Sequence, residues 1–91
     1  MKVAGFEWDG RNQRHIWRHR VSYGEVEEVF EGEFFCRRAK YGRYMAYGTA
    51  ASGRYLFVVI DRRDDGIVRV ITARDMTPGE KSAYKQRMNS I

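Results

Sequence analysis

The sequence has 91 residues, of which 43% are hydrophobic and 32% charged, enough apolar side chains for one core and too few residues for two ordinary domains. The charged residues are 17 basic and 12 acidic, a formal charge of +5 that favours an anionic partner. No apolar run approaches a membrane span or a leader segment, and the single cysteine, Cys36, excludes an internal disulfide, so one cytoplasmic domain that meets no membrane is expected.

Residues 3–8 mix aromatic and β-branched side chains and read as a first strand. Asp9 is placed to cap a short helix that starts at Gly10 and runs to about His19. A second helix is signalled by the capping box Ser22-Tyr23-Gly24-Glu25, by Val21 and Val26 at staple positions, and by the stripe Val26, Val29, Phe30, with Gly32 as its stop. The period then changes. Residues 34–38, 43–48, 54–62 and 67–73 read as four strands, joined by loops ending in Gly42, Gly53 and Gly66. In the third of these, Leu56, Val58 and Ile60 face one way and Tyr55, Phe57 and Val59 the other, so this strand should be central and covered on both sides. Thr77-Pro78-Gly79-Glu80 forms another capping box, and Tyr84, Met88 and Ile91 give the last helix a narrow apolar stripe. The expected fold is α+β in the order β-α-α-β-β-β-β-α, an antiparallel sheet packed with helices.

Charge is segregated along this layout. Arg11, Arg14, Arg18 and Arg20 load the first helix, Glu25, Glu27, Glu28, Glu31 and Glu33 the second, and Arg37, Arg38, Lys40, Arg43 and Arg54 the strands that follow. Each block is either a solvated face that pairs helix against strand or part of a surface for an anion.

Three groups of residues resemble the BrnT-type toxins. Phe6-Glu7-Trp8-Asp9, His19 followed by Val21-Ser22, and Glu25 through Val29-Phe30 are similar to that family's opening. Gly53-Arg54-Tyr55-Leu56-Phe57-Val58-Val59 and Arg69-Val70-Ile71-Thr72-Ala73-Arg74-Asp75-Met76 are similar to its central strands and its Ala-Arg signature. Glu80 and Tyr84 match the Glu-x-x-x-Tyr of its closing helix. The resemblance implies a RelE-like fold and a small ribonuclease of a type II toxin–antitoxin pair, with RNA as substrate and a BrnA-type antitoxin as partner. It leaves a homo-oligomer open. The sequence departs from the family in its first helix. Arg11, His15 and Arg18-His19-Arg20 stand where Lys, Asn and Lys-His-Gly are usual. Arginine for lysine keeps phosphate binding and removes a group able to act as a base, while Arg20 in place of glycine bears on how the helix ends.

Metal-free RNA cleavage needs a base for the 2′-hydroxyl, positive charge on the phosphoryl transition state and an acid for the leaving 5′-oxygen. His15 and His19, four residues apart, are candidates for the proton steps; the alternative is one packing histidine and one helix cap. Arg74 at the end of the last strand suits the transition-state phosphate, unless it pairs with Glu80 instead. Tyr84 can donate a phenolic proton or simply pack in the core. Arg11, Arg14, Arg18, Arg62 and Arg69 are candidates for phosphate contacts, and Tyr41, Tyr44 and Tyr47 lie among basic residues as base-stacking groups would. Without HExxH or CxxC, no metal or other cofactor is expected. A non-catalytic basic module that binds RNA or a protein is the alternative function.

Overall fold

A computed structural model describes residues 1–89, which places Ile91 of the expected helical stripe outside the described residues. The elements in chain order are β1 (Gly5–Glu7), α1 (Gly10–Trp17), α2 (Tyr23–Glu31), β2 (Phe34–Arg38), β3 (Arg43–Thr49), β4 (Tyr55–Arg62), β5 (Ile67–Asp75) and α3 (Pro78–Asn89). Single 3-10 turns at Lys40–Gly42 and Asp64–Gly66 close two of the hairpins.

The expected cap of α1 by Asp9 and the expected capping box of α2 form through local side chains, and Asn12 completes a box at α1 as well. Asp9 accepts from the backbone N–H groups of Arg11 and Asn12, and Ser22 accepts from Glu25. At α3 the Thr77 hydroxyl accepts from the Glu80 N–H while the Glu80 carboxylate accepts from the Thr77 N–H. Helix α1 stops at Trp17, two residues short of the expected end. The N–H of Val21 reaches the Ile16 carbonyl at 3.3 Å and that of Arg20 the Trp17 carbonyl at 2.9 Å, with Arg20 in the left-handed region at φ 59°. This termination normally takes glycine; here buried Ile16 and Val21 meet across it and hold an arginine in that conformation.

The sheet order is β1-β5-β4-β3-β2. Four neighbouring strands pair antiparallel, as expected, but β1 runs parallel to β5, so the sheet is mixed. Strand β4 is central, and its two apolar rows bury on opposite faces. Leu56, Val58 and Ile60 join Ile16, Val21, Val26 and Val29 in the core under α1 and α2. Phe57, Tyr55 and Val59 join Met76, Tyr84 and Met88 under α3. A register shift opposite Val59 and Ile60 reverses the alternation of β5, which buries both Val70 and Ala73 on the first face. That shift turns Arg74 toward α3.

Two close approaches fix the helices. Gly48 on β3 lets α2 descend: a Cβ there would lie 2.7 Å from Val29 Cγ1 and 3.1 Å from Phe34 Cβ. The buried amide of Asn12 ties α1 to the parallel pair. Its nitrogen donates to the carbonyls of Glu7 at 2.9 Å and Val70 at 3.2 Å, and its oxygen accepts from the Asp9 N–H at 2.9 Å.

Candidate functional site

Arg74 emerges from the end of β5 onto the α3 face, where its guanidinium lies 4.1 Å from the centre of the Phe57 ring. Glu80, already held by the cap of α3, takes Nη1 at 2.8 Å and Nη2 at 3.0 Å, and the Asp75 carbonyl takes Nη1 at 3.0 Å. A guanidinium has five N–H donors, and these contacts use three of them. The side-on fork formed by Nε–H and the outer Nη2–H has no acceptor among the described residues. The pairing with Glu80 and an unused pair of donors therefore coexist on one arginine. Arg74 holds the Glu80 carboxyl below its usual range. The ring behind and the carboxylate at the tip fix the fork in place, and positioned donors of this kind act on a charge that develops during reaction.

Beside this pair, a groove of about 840 Å³ opens between α3 and the β2–β3 hairpin, lined by Phe35, Arg37, Tyr47, Glu80, Arg87 and Met88. Tyr84 forms part of its supporting wall. It is buried, stacks on Phe35 and meets Tyr55 edge-on, and its hydroxyl donates to the Glu33 carbonyl at 3.1 Å. Burial raises the pKa of that phenol.

The other candidates lie elsewhere. His15 is half-buried in the last turn of α1, and His19 is exposed in the turn beyond Trp17. Arg11, Arg14 and Arg18 are exposed along α1, which packs on the opposite side of the sheet from Arg74. No hydrogen bond joins either histidine to Arg74 or Tyr84 among the described residues. His19 lies within electrostatic reach of Asp75 at the end of β5. Arg54 foremost, then Lys81 and His19, keep the Asp75 carboxyl below its usual range against the opposing effect of burial. Arg69 is bound to Glu7 and Asp9 at 3.1 and 3.0 Å. Arg62 ends β4 with no carboxylate within ion-pair distance among the described residues, its guanidinium 5.8 Å from the Tyr44 ring centre. Of the three tyrosines, Tyr47 faces α3 and Tyr44 the α1–α2 side, while Tyr41 sits in a turn outside the strand alternation.

Arg54 is the residue that sequence reasoning missed as an organiser. It donates to the carbonyls of His19 and Arg20 and to the carboxylates of Glu25 and Asp75, joining the end of α1 to the start of α2 and the end of β5. Asn12 was missed as well; its place in the capping spacing Asp9-x-x-Asn12 was the available signal.

A family model described as the ribonuclease toxin BrnT of type II toxin–antitoxin systems matches residues 8–80. The chain belongs to the BrnT toxin family. The match takes in His15, His19, Arg74 and Glu80 and stops short of Tyr84. The crystal structure of the Brucella abortus ribonuclease toxin BrnT aligns over 80% of this chain and 96% of that one, with a TM-score of 0.67 and 18% identity, a likeness in fold. No curated protein matches. In this BrnT-type toxin, no helix among the described residues is long and apolar enough to cross a membrane. No three His, Cys, Asp or Glu side chains gather there as a metal site would require.

Proposed function

We propose that this toxin is a metal-independent endoribonuclease that cleaves mRNA, acts in the cytoplasm and is covered by a BrnA-type antitoxin. The observation that carries the reading is the family match across residues 8–80. The open fork of Arg74 supports it, because it offers two parallel donors to a phosphate while the rest of the guanidinium is held still. In the proposed reaction the 2′-oxygen bonds to the adjacent phosphorus and the bond to the 5′-oxygen breaks. A base takes the 2′-proton, an acid protonates the leaving oxygen, and a 2′,3′-cyclic phosphate remains. His19 is the proposed proton-transfer group and His15 a secondary one. Tyr84 supports the helix that carries Glu80. Arg11, Arg14, Arg18, Arg62 and Arg69 supply positive charge along the RNA, the last after exchange of its carboxylate partners.

The test is cleavage of a labelled mRNA in the presence of chelator, with folding of each variant checked first. His19→Ala should lose about two to four orders of magnitude in rate. Arg74→Ala should lower turnover about a hundred-fold or more with less effect on affinity, and His15→Ala should act more mildly. Equal rates in wild type, His19→Ala and Arg74→Ala would refute the site. No cleavage by wild type, free or with ribosomes, would refute the enzyme. A second reading, a basic module that binds RNA or a protein without cleaving, is favoured by the absence, among the described residues, of a hydrogen bond between either histidine and Arg74. It predicts binding without products.

A further inference from the structure

The turn between β2 and β3 holds a tyrosine where neither backbone preference nor burial accounts for one. Tyr41 has φ 63° and ψ 32°, a conformation that bulky residues rarely adopt, and its side chain is 88% exposed. Next to it, three strands converge on Tyr44: β3 carries the ring, β2 brings Arg38 to 6.0 Å from its centre, and β4 brings Arg62 to 5.8 Å. Hydrogen bonding from Arg62 and then Arg38 lowers the pKa of the Tyr44 phenol.

Part of the positive charge at this end of the sheet has no carboxylate within ion-pair distance among the described residues, although Asp61 stands opposite Arg43 in the ladder. Arg54, Arg63, Arg69 and Arg74 each hold a carboxylate. Arg38, Lys40, Arg43 and Arg62 hold none among the described residues, although all four lie within or beside one hairpin. Exposed aromatic surface beside uncompensated guanidinium groups is what a single-stranded nucleic acid needs: bases stack on the rings and phosphates meet the forks. An acidic protein segment would use the charge but would leave a strained, exposed tyrosine unexplained.

We propose that the tip of the β2–β3 hairpin, with Arg38, Tyr41, Tyr44 and Arg62, is a binding platform for single-stranded RNA, separate from the Arg74 site. Arg38 and Arg62 take a phosphate and Tyr41 stacks a base. The proposal deepens the ribonuclease reading and rests on it for RNA as the polymer. Tyr44 lies on the α1–α2 side of the sheet and Arg74 on the α3 side, at opposite ends of their strands. The platform therefore holds nucleotides away from the scissile bond, and short substrates should show raised KM with little change in kcat.

The experiment measures anisotropy of a fluorescent 2′-O-methyl oligouridine, which binds but lacks the attacking hydroxyl. Tyr41→Gly should weaken binding on the order of ten-fold. The same change should raise the thermal midpoint, because glycine suits the left-handed turn. Tyr41→Trp should keep affinity. Arg38→Ala and Arg62→Ala should each flatten the salt dependence by about 0.7 per lost contact. Tyr41→Gly binding like wild type, or polyglutamate competing as well as RNA, would overturn the platform. Cleavage of mRNA is measured separately. Wild type that cleaves while binding ignores the hairpin overturns the platform and keeps the enzyme. Hairpin-dependent binding without cleavage keeps the platform and removes the enzyme.

Discussion

Asn12 offers the sharpest test of how the first helix is attached. Its side chain makes three hydrogen bonds in a buried position, to the Glu7 and Val70 carbonyls and from the Asp9 N–H. At about 1 kcal/mol net for each bond, Asn12→Ala should cost about 3 kcal/mol. That is a large share of the roughly 5–15 kcal/mol that stabilises a small protein. Urea unfolding followed by circular dichroism should show the midpoint falling by about 2 M or more, taking a slope near 1–1.5 kcal/mol per M. Asn12→Asp preserves the shape and sharpens the test. At neutral pH the new carboxylate faces two carbonyl oxygens, so its pKa in the folded state rises above the unfolded value. Stability is then present at low pH and lost as pH rises through that folded value, so the deficit against wild type should shrink on acidification. A midpoint shift below about 0.5 M for Asn12→Ala at unchanged slope would refute the argument, since the carbonyls would then be satisfied without the amide.

Arg20→Gly should stabilise the protein by about 1 kcal/mol, read as a rise in thermal midpoint, because the left-handed residue loses its Cβ conflict. Gly48→Ala should cost about 1–3 kcal/mol in urea unfolding, as the added methyl meets buried Val29 and the adjoining Phe34. Glu25, Asp75 and Glu80 all ionise below their usual range in the folded protein. For Glu25 burial opposes this, and the Ser22 N–H and Arg54 outweigh it; for the other two an arginine bond is the main cause. Their stabilising contribution is therefore complete above the unfolded carboxylate values and lost as pH falls through the lower folded ones. Stability should hold from neutrality to about pH 5 and decline below roughly pH 4.5. Arg54→Met should be less stable than wild type at pH 7, and the difference should close as the pH is taken through this range.

What the sequence discloses here depends on distance along the chain. The starts of α1, α2 and α3 are each encoded within four residues, as in Ser22 to Glu25, and a local side chain closes on a local N–H. The central place of β4 is equally legible, because two apolar rows on one strand require cover on both faces. The direction of β1 is not, since residues 5–7 carry nothing that separates a parallel from an antiparallel neighbour. Arg20 hid the end of α1, because the left-handed position is normally advertised by glycine and is here imposed by the contact of Ile16 with Val21. At the candidate site the Arg74–Glu80 pair, six residues apart, was readable as an alternative, but its open fork depends on Phe57 and on the register shift in β5. Arg69 looked available for phosphate; its carboxylates lie 62 and 60 residues earlier, beyond any local pattern.

The parallel pairing of β1 with β5 has a consequence for how this toxin comes into being on the ribosome. Gly5 has its sheet partner at Ile67 and Asn12 its buried acceptor at Val70, so the first two elements are made long before the surface that receives them exists. Until β5 has emerged, β1 has no sheet neighbour, the Asn12 amide lacks its Val70 acceptor, and the core around Ile16 lacks Val68, Val70 and Ala73. Synthesis proceeds at about 5–20 residues per second, so the nascent chain spends seconds with this apolar surface open. Contacts so distant in sequence also make the closing step slow compared with a helical protein of this size. The native sheet can form only after β5 has been made, which gives a neighbouring protein an interval in which to meet a toxin that has no finished shape.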